Sequence, residues 1–362
     1  MLVLGVESSC DDTSVALLEC SKQGCFVVNE LTASQIEIHK KYGGVVPEIA
    51  GRMHAEKIIP LIEEVLKDGA KPDVIAVTAG PGLMTGLIIG VEAAKTLSYA
   101  LNVPLIAVNH IEGHIHSVEI SKQTPNSNSQ ITKTDDKILP IRKSPKIIYP
   151  VLALVASGGH TELILAKKQG RYKKIGATRD DAAGECFDKV AKILGLPYPG
   201  GPQISKLAVE GDPKAINFPR PMLKDKNSSS KNGPSWDFSF AGLKTAALYW
   251  LRDHKKINKN DFCSSFEQAI IDVLVGKTMK AVEKFKPKTI ILAGGVSANK
   301  KLRETLIKEV KNQTLKSSVL LPKSEYCMDN AAMIAMAGYY HALKKDYVLW
   351  QNIKADPNWE IA

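Results

Sequence analysis

The chain has 362 residues, 44% of them apolar and only 6% aromatic, with a net charge of +10. That length exceeds what a single core usually organises, so two lobes are expected, and it removes any need for disulfide staples. No apolar run reaches the roughly 18 residues of a membrane span, and the sequence enters a strand pattern at its second residue with no leader ahead of it, so a cytoplasmic protein with no membrane contact is expected.

The positive charge invites a nucleic-acid reading, but much of it is local. Residues 121–148 hold six basic against two acidic side chains, and 222–234 three against one. Both stretches are polar and aperiodic, and a solvated charge run explains them more simply than a binding surface does. The six cysteines (10, 20, 25, 186, 263 and 327) form no C-x-x-C pair, so reduced thiols are expected.

In chain order, LVLGVE (2–7) and SVALL (14–18) read as strands joined by the polar turn Ser8-Ser-Cys-Asp-Asp-Thr13, and 25–33 reads as a third. Pro47 opens a helix, apolar at Ile49, Met53, Ile58, Ile62 and Leu66, which Pro60 should kink. Strand 74–79, the glycine turn 80–82, an apolar helix and strand 104–108 follow, giving the order βββαβαβ.

After the polar segment 121–148 the pattern restarts. Strand 149–156 turns through Ser157-Gly-Gly159 into 160–167, and 171–177 completes a second meander. Helices at 181–195, 202–210 and about 260–285 lead to strand 288–293, the turn Gly294-Gly-Val-Ser-Ala-Asn299, a helix to about Lys311, strand 318–321 and a last helix from about Asp329. The second half therefore repeats the order of the first, which implies two similar α/β lobes facing each other across a central cleft. The expected division is 1–109 with about 325–362 as one lobe and 110–324 as the other, with polar insertions at 121–148 and 224–234.

Two features carry chemistry. The first is His110-Ile-Glu-Gly-His114, delivered by a strand, with two imidazoles four residues apart on one helix face. That spacing suits a metal ion, but two ligands do not hold one. Asp329 is the candidate third ligand, although on the local sequence alone the N-cap of the last helix is the favoured role for an aspartate there. His116 falls off the face of the pair and reads as a surface histidine.

The second feature is a set of glycine turns at 80–82, 157–159, 200–201 and 294–295. Glycine allows close backbone approach, so such turns can aim N–H groups at phosphate. Any one of them is more often just a turn, yet four in matching positions of a duplicated fold point to a nucleotide cleft.

The segments VESSCDDTSVAL, VTAGPGLMTGL, VNHIEGHIHS, ASGGHTEL, DDAAGECFDKVAKILGLPYPGGP, SFAGLKT, GGVSANKKLR and CMDNAAMIA, in this order, resemble the bacterial form of the tRNA N6-adenosine threonylcarbamoyltransferase family. The resemblance implies the actin, hexokinase and Hsp70-like ATPase fold, built from two ribonuclease H-like lobes. It implies that His110, His114 and Asp329 bind one divalent metal, usually Fe2+ and sometimes Zn2+. It also implies substrate contacts at Val155, Ala156, Ser157, Gly158, Gly159, Asp188, Gly201 and Asn299.

The family's reaction moves the threonylcarbamoyl group of threonylcarbamoyl-AMP to N6 of an adenosine beside the anticodon of tRNAs that read codons beginning with adenine. Asp11, in the first turn, is the candidate to orient or deprotonate that amine, against an Asx-turn role. Family members work with a smaller paralogous subunit and a P-loop ATPase. Ser205 departs from the family pattern, where an acidic residue is common, and leaves Asp188 as the sole carboxylate aimed at the ribose of the adenine nucleotide. Met328, Ala241 and Cys186 are further departures.

Rival readings are a kinase-like ATPase of the same fold, a non-catalytic scaffold paralogue and a zinc peptidase. The last needs Glu directly after the first histidine, where Ile111 stands.

Overall fold

The computed structural model describes residues 1–121, 145–223, 235–313 and 316–361, so nearly all of the two polar insertions lies outside the described residues. The chain runs β1 (Leu2–Glu7), β2 (Asp12–Ser21), β3 (Gly24–Ser34), α1 (Ile36–His39), α2 (Pro47–Val65), β4 (Val74–Gly80), α3 (Met84–Leu101), β5 (Leu105–Asn109), α4 (His110–His116) and β6 (Ile120–Ser121). It continues through β7 (Val151–Ala156), β8 (Thr161–Lys168), β9 (Arg171–Ala177), α5 (Ala183–Ile193), α6 (Gly200–Ala208), α7 (Ala241–Asp253), α8 (Lys259–Phe285), β10 (Thr289–Ala293), α9 (Lys300–Asn312), β11 (Ser318–Leu320) and α10 (Ala331–Leu343).

Two compact units form. The first comprises Met1–Gln35, Pro47–Lys146 and Asp329–Glu360, and the second Ile36–Val46, Ile147–Met328 and Ile361–Ala362. Residues 110–121 thus belong to the first unit rather than beginning the second, and α4 packs there against α10.

The sheet of the first unit has the order β5-β4-β1-β2-β3-β6, and that of the second β11-β10-β7-β8-β9. In each, a central strand pairs antiparallel with the next strand of its meander and parallel with the strand that returns after a helix. The expected repeat is therefore a repeat of topology, and the fold class is that of two ribonuclease H-like sheets.

In the first unit, successive residues of β1 face opposite layers. Leu4 and Val6 pack with Ile58 and Ile62 of α2 and Val91 of α3. Gly5 faces α10, where a Cβ would stand 2.2 Å from the Ala331 carbonyl oxygen, and at Gly338 a Cβ would stand 2.4 Å from Ala76 Cβ. The small residues of AAMIAMAG thus let α10 lie flush on the sheet. In the second unit Leu152, Leu154, Ile290 and Leu292 of the sheet pack with Phe187, Phe262, Phe266 and Leu302 of the covering helices.

One local expectation changes, at the cysteines, and two features of the helices stand beside it. Helix α2 continues through Pro60 to Val65. Helix α7, which carries no capping residue of its own, is capped instead by Asp180, whose Oδ1 accepts from the N–H groups of Phe240 at 2.7 Å and Ala241 at 3.1 Å. Cys20 and Cys25 are not reduced thiols but a disulfide across the β2–β3 hairpin, where they are direct partners in the ladder.

Candidate metal centre and nucleotide loops

Strand β5 ends at Asn109, whose side chain accepts from the N–H groups of Ile111 and Glu112 and so starts α4 at His110. One turn later comes His114, and the two rings lie 4.7 Å apart, edge to face. Both rings are buried.

The third member comes from the far end of the chain. Asn330 caps α10, accepting from Met333 N at 2.9 Å, so Asp329 is not the cap. Its Oδ1 lies 3.1 Å from His114 Nε2 and 3.5 Å from His110 Nε2. The three ligand atoms fall within 4.8 Å of one another. His114 is buried, yet neither of its ring nitrogens makes a hydrogen bond. An imidazole stripped of water, with only the Asp329 carboxylate beside it and no well-formed hydrogen bond, is costly. A cation between the three groups would satisfy it, so the residues present fit a metal ion.

The surroundings orient the ligands. The His110 Nδ1–H donates to Glu7 Oε2 at 3.0 Å, with Ser9 Oγ 3.1 Å away. Glu7 also accepts from Ser9 N at 2.6 Å and from the Thr78 hydroxyl at 2.7 Å. A carboxylate on the far nitrogen fixes the ring and leaves Nε2 for the metal.

Burial alone would lower the pKa of His110, but the charges of Asp329 and Glu7 raise it to about 9. Burial dominates at His114 and holds it below the usual imidazole value. Glu7 is pushed up by burial but held below the ordinary carboxylate range by His110. Sequence reasoning missed Glu7 and Ser9, although a lone carboxylate closing an apolar strand was the available signal.

Asp11 sits in the turn that also carries Ser9. Its charge and that of Asp329 act together on Cys10 and Asp12. The turn is braced by His54, whose ring nitrogens lie 2.8 Å from Thr13 Oγ1 and 3.1 Å from the Cys10 carbonyl oxygen. His116 is not on the surface. It is fully buried, with Nδ1 2.8 Å from Glu119 Oε2, and Tyr340 of α10 donates to the same carboxylate.

The glycine turns divide. Those at 80–82 and 294–295 are closed by packing: a Cβ on Gly80 would stand 1.8 Å from the Asp356 carbonyl oxygen, and one on Gly294 2.5 Å from that of Ala156. Among the described residues, nothing lies within 4 Å of a Cβ at Gly158 or Gly159, and at Gly201 Phe187 alone comes within that range, at 3.9 Å. The backbone is open on its Cα side at the second set and covered at the first.

The expected substrate positions all fall in the second unit. Val155 and Ala156 are fully buried in β7, between β8 and β10, and can act only through their backbone. Ser157 opens the β7–β8 turn, where its Oγ accepts from His160 N at 3.1 Å, and the N-terminus of α5 backs it through Gly184 N to the Ser157 carbonyl oxygen at 3.1 Å. Asp188 caps α6, its Oδ1 accepting from Gly200 N at 2.7 Å and Gly201 N at 3.3 Å. Asn299 caps α9 and donates to Ser205 Oγ at 3.0 Å.

These features define an α/β protein of the actin, hexokinase and Hsp70 class with a candidate two-histidine, one-carboxylate metal centre. A fold likeness supports that class: full-length HypF in its phosphate- and nucleotide-bound form superposes with a TM-score of 0.56 at 12% identity, covering 94% of this chain and 55% of that one. The sequence profile of the tRNA N6-adenosine threonylcarbamoyltransferases matches residues 26–129 and 138–336. The proteins of that name from Listeria innocua (46% identical, covering 93% of this chain and 90% of the relative) and Thermosipho africanus (44% identical, covering 100% of each) are similar over nearly their whole lengths. The chain belongs to the tRNA N6-adenosine threonylcarbamoyltransferase family, a family of transferase enzymes. Among the described residues no helix is long and apolar enough to cross a membrane.

Proposed function

We propose that the chain transfers the threonylcarbamoyl group of threonylcarbamoyl-AMP to N6 of the adenosine beside the anticodon of tRNAs that read codons beginning with adenine. The observation that carries the metal-dependent form of this reading is the buried, unbonded His114 beside Asp329. His110, His114 and Asp329 hold one divalent ion, Fe2+ or Zn2+. When bound, the ion supplies Lewis acidity to the carbonyl of the threonylcarbamoyl group, which offsets the weak nucleophilicity of an aromatic amine.

The protein's own groups do the rest. Glu7 and Ser9 keep His110 in the orientation that presents Nε2. Asp11, held by the braced turn, orients the incoming amine or takes its proton. The open backbone at Gly158 and Gly159 receives the AMP phosphate, the buried strand end at Val155 and Ala156 keeps that loop rigid, and Gly201, tied to Asp188, lines the nucleoside side. Asp188 and Asn299 hold the edges of the loop cluster that takes the adenosine.

The working assembly includes a smaller paralogous subunit and a P-loop ATPase, in the cytoplasm. The test is an assay with threonylcarbamoyl-AMP and unmodified tRNA, with and without those subunits, read by nucleoside mass spectrometry. Formation of threonylcarbamoyladenosine that disappears on chelation and returns with iron or zinc is expected. Transfer at full rate by a metal-free chain would refute the metal-dependent form.

A further inference from the structure

Asn299 is heavily committed. Its Oδ1 accepts from Leu302 N at 2.8 Å, and its Nδ2 donates to Ser205 Oγ at 3.0 Å and to Glu267 Oε1 at 2.7 Å. A side-chain amide has two N–H donors, so both are engaged. Glu267 lies on α8 and is only 3% exposed. A carboxylate buried so deeply persists where other groups compensate it. Here Asn299 donates to it, Lys301 Nζ stands 3.9 Å away, and the N-terminus of α9, which Asn299 caps, favours negative charge.

Ser205 is on α6 one turn after Gly201, whose N–H donates to Asp188 Oδ1. Asp188, Gly201, Ser205, Asn299 and Glu267 therefore follow one another along a single run that ties α5, α6, α9 and α8 together. Ser205 accepts from Asn299, which leaves its own O–H as a donor and a second lone pair as an acceptor. A hydroxyl set in that way suits a ribose hydroxyl, which both donates and accepts.

We propose that Glu267 is a positioning residue for the adenosine end of the substrate: its carboxylate fixes the Asn299 amide, and the fixed amide orients the Ser205 hydroxyl toward the ribose. The pair does at one remove what a carboxylate at position 205 would do directly. This rests on the reading above that the second unit takes the nucleotide.

The experiment is isothermal titration of the full chain with AMP, alongside steady-state kinetics. Glu267→Ala should weaken AMP about tenfold, as expected for loss of a hydrogen bond to a charged group. It should raise KM for threonylcarbamoyl-AMP by a similar factor, while kcat and the KM for tRNA hold. Glu267→Gln still offers an oxygen to Asn299 and should stay within about threefold of wild type. Ser205→Ala should weaken AMP by at least the same factor as Glu267→Ala, and adding Glu267→Ala to it should bring little more, since the two act in series.

Wild-type AMP affinity in Glu267→Ala, or a Gln variant as impaired as the Ala variant at an unchanged melting midpoint, would overturn the proposal alone. Failure of the wild-type chain to bind AMP, or AMP affinity untouched by both Gly158→Val and Asp188→Ala, would overturn the nucleotide reading on which it rests.

Discussion

Glu7 Oε2 accepts from His110 Nδ1 at 3.0 Å across 103 residues of sequence, and this one bond decides which nitrogen of His110 faces Asp329. Glu7 is fully buried and receives donors from Ser9 and Thr78 as well. The ligand set is therefore held by the end of β1 as much as by α4.

Replacing Glu7 with Gln puts an amide where three donors converge. Metal affinity should fall 10- to 100-fold, the usual effect of losing an outer carboxylate behind a ligating histidine. Competition titration with a chelator of known affinity measures it.

His110→Ala and His114→Ala should each abolish both stoichiometric metal and threonylcarbamoyl transfer, while Asp11→Ala should keep metal and lose transfer. Metal analysis of the purified variants beside the nucleoside assay separates the two outcomes. An Asp11→Ala chain that transfers at an undiminished rate would remove Asp11 from the reaction.

Gly158→Val meets open space and should leave stability within about 0.5 kcal/mol of wild type, while weakening AMP binding by crowding the phosphate. Gly294→Ala should behave in the opposite sense. Its φ of +85° and a Cβ 2.5 Å from the Ala156 carbonyl oxygen should destabilise the second unit by more than about 2 kcal/mol. Thermal melts and AMP titrations of the two variants form the comparison.

Burial raises the Asp12 carboxyl to about 6, helped by the charges of Asp11 and Asp329. Its Oδ1 has no hydrogen-bond partner. The unfolded value is near 3.9, so the native state holds the proton more tightly, and stability is lost as pH rises from about 4 through about 6. Asp12→Asn should stabilise the chelator-treated chain by on the order of 2 kcal/mol at pH 7 and by almost nothing near pH 3.5. Urea midpoints at the two pH values give the difference.

The sequence by itself determined the two meanders, their repeat and the paired imidazoles, because these are local. Short apolar runs flanking a polar turn mark β1 and β2, and four-residue spacing on a helix puts His110 and His114 on one face. Resemblance to a known family then favoured Asp329 as ligand over cap and named the loop residues. Tertiary structure alone decided what those residues can do. Asp329 is free of the capping role only because Asn330 takes it, and α10 carries it to α4. The turns at 80–82 and 157–159 read alike in sequence, yet Asp356 closes the first and leaves nothing comparable over the second. Helix α7 gets its cap from Asp180, sixty residues before it. Glu7, Glu267 and the buried His116 look like ordinary polar positions in a string of letters. Their partners lie on other elements, and pairing across such distances is set by how sheets and helices pack rather than by any local pattern.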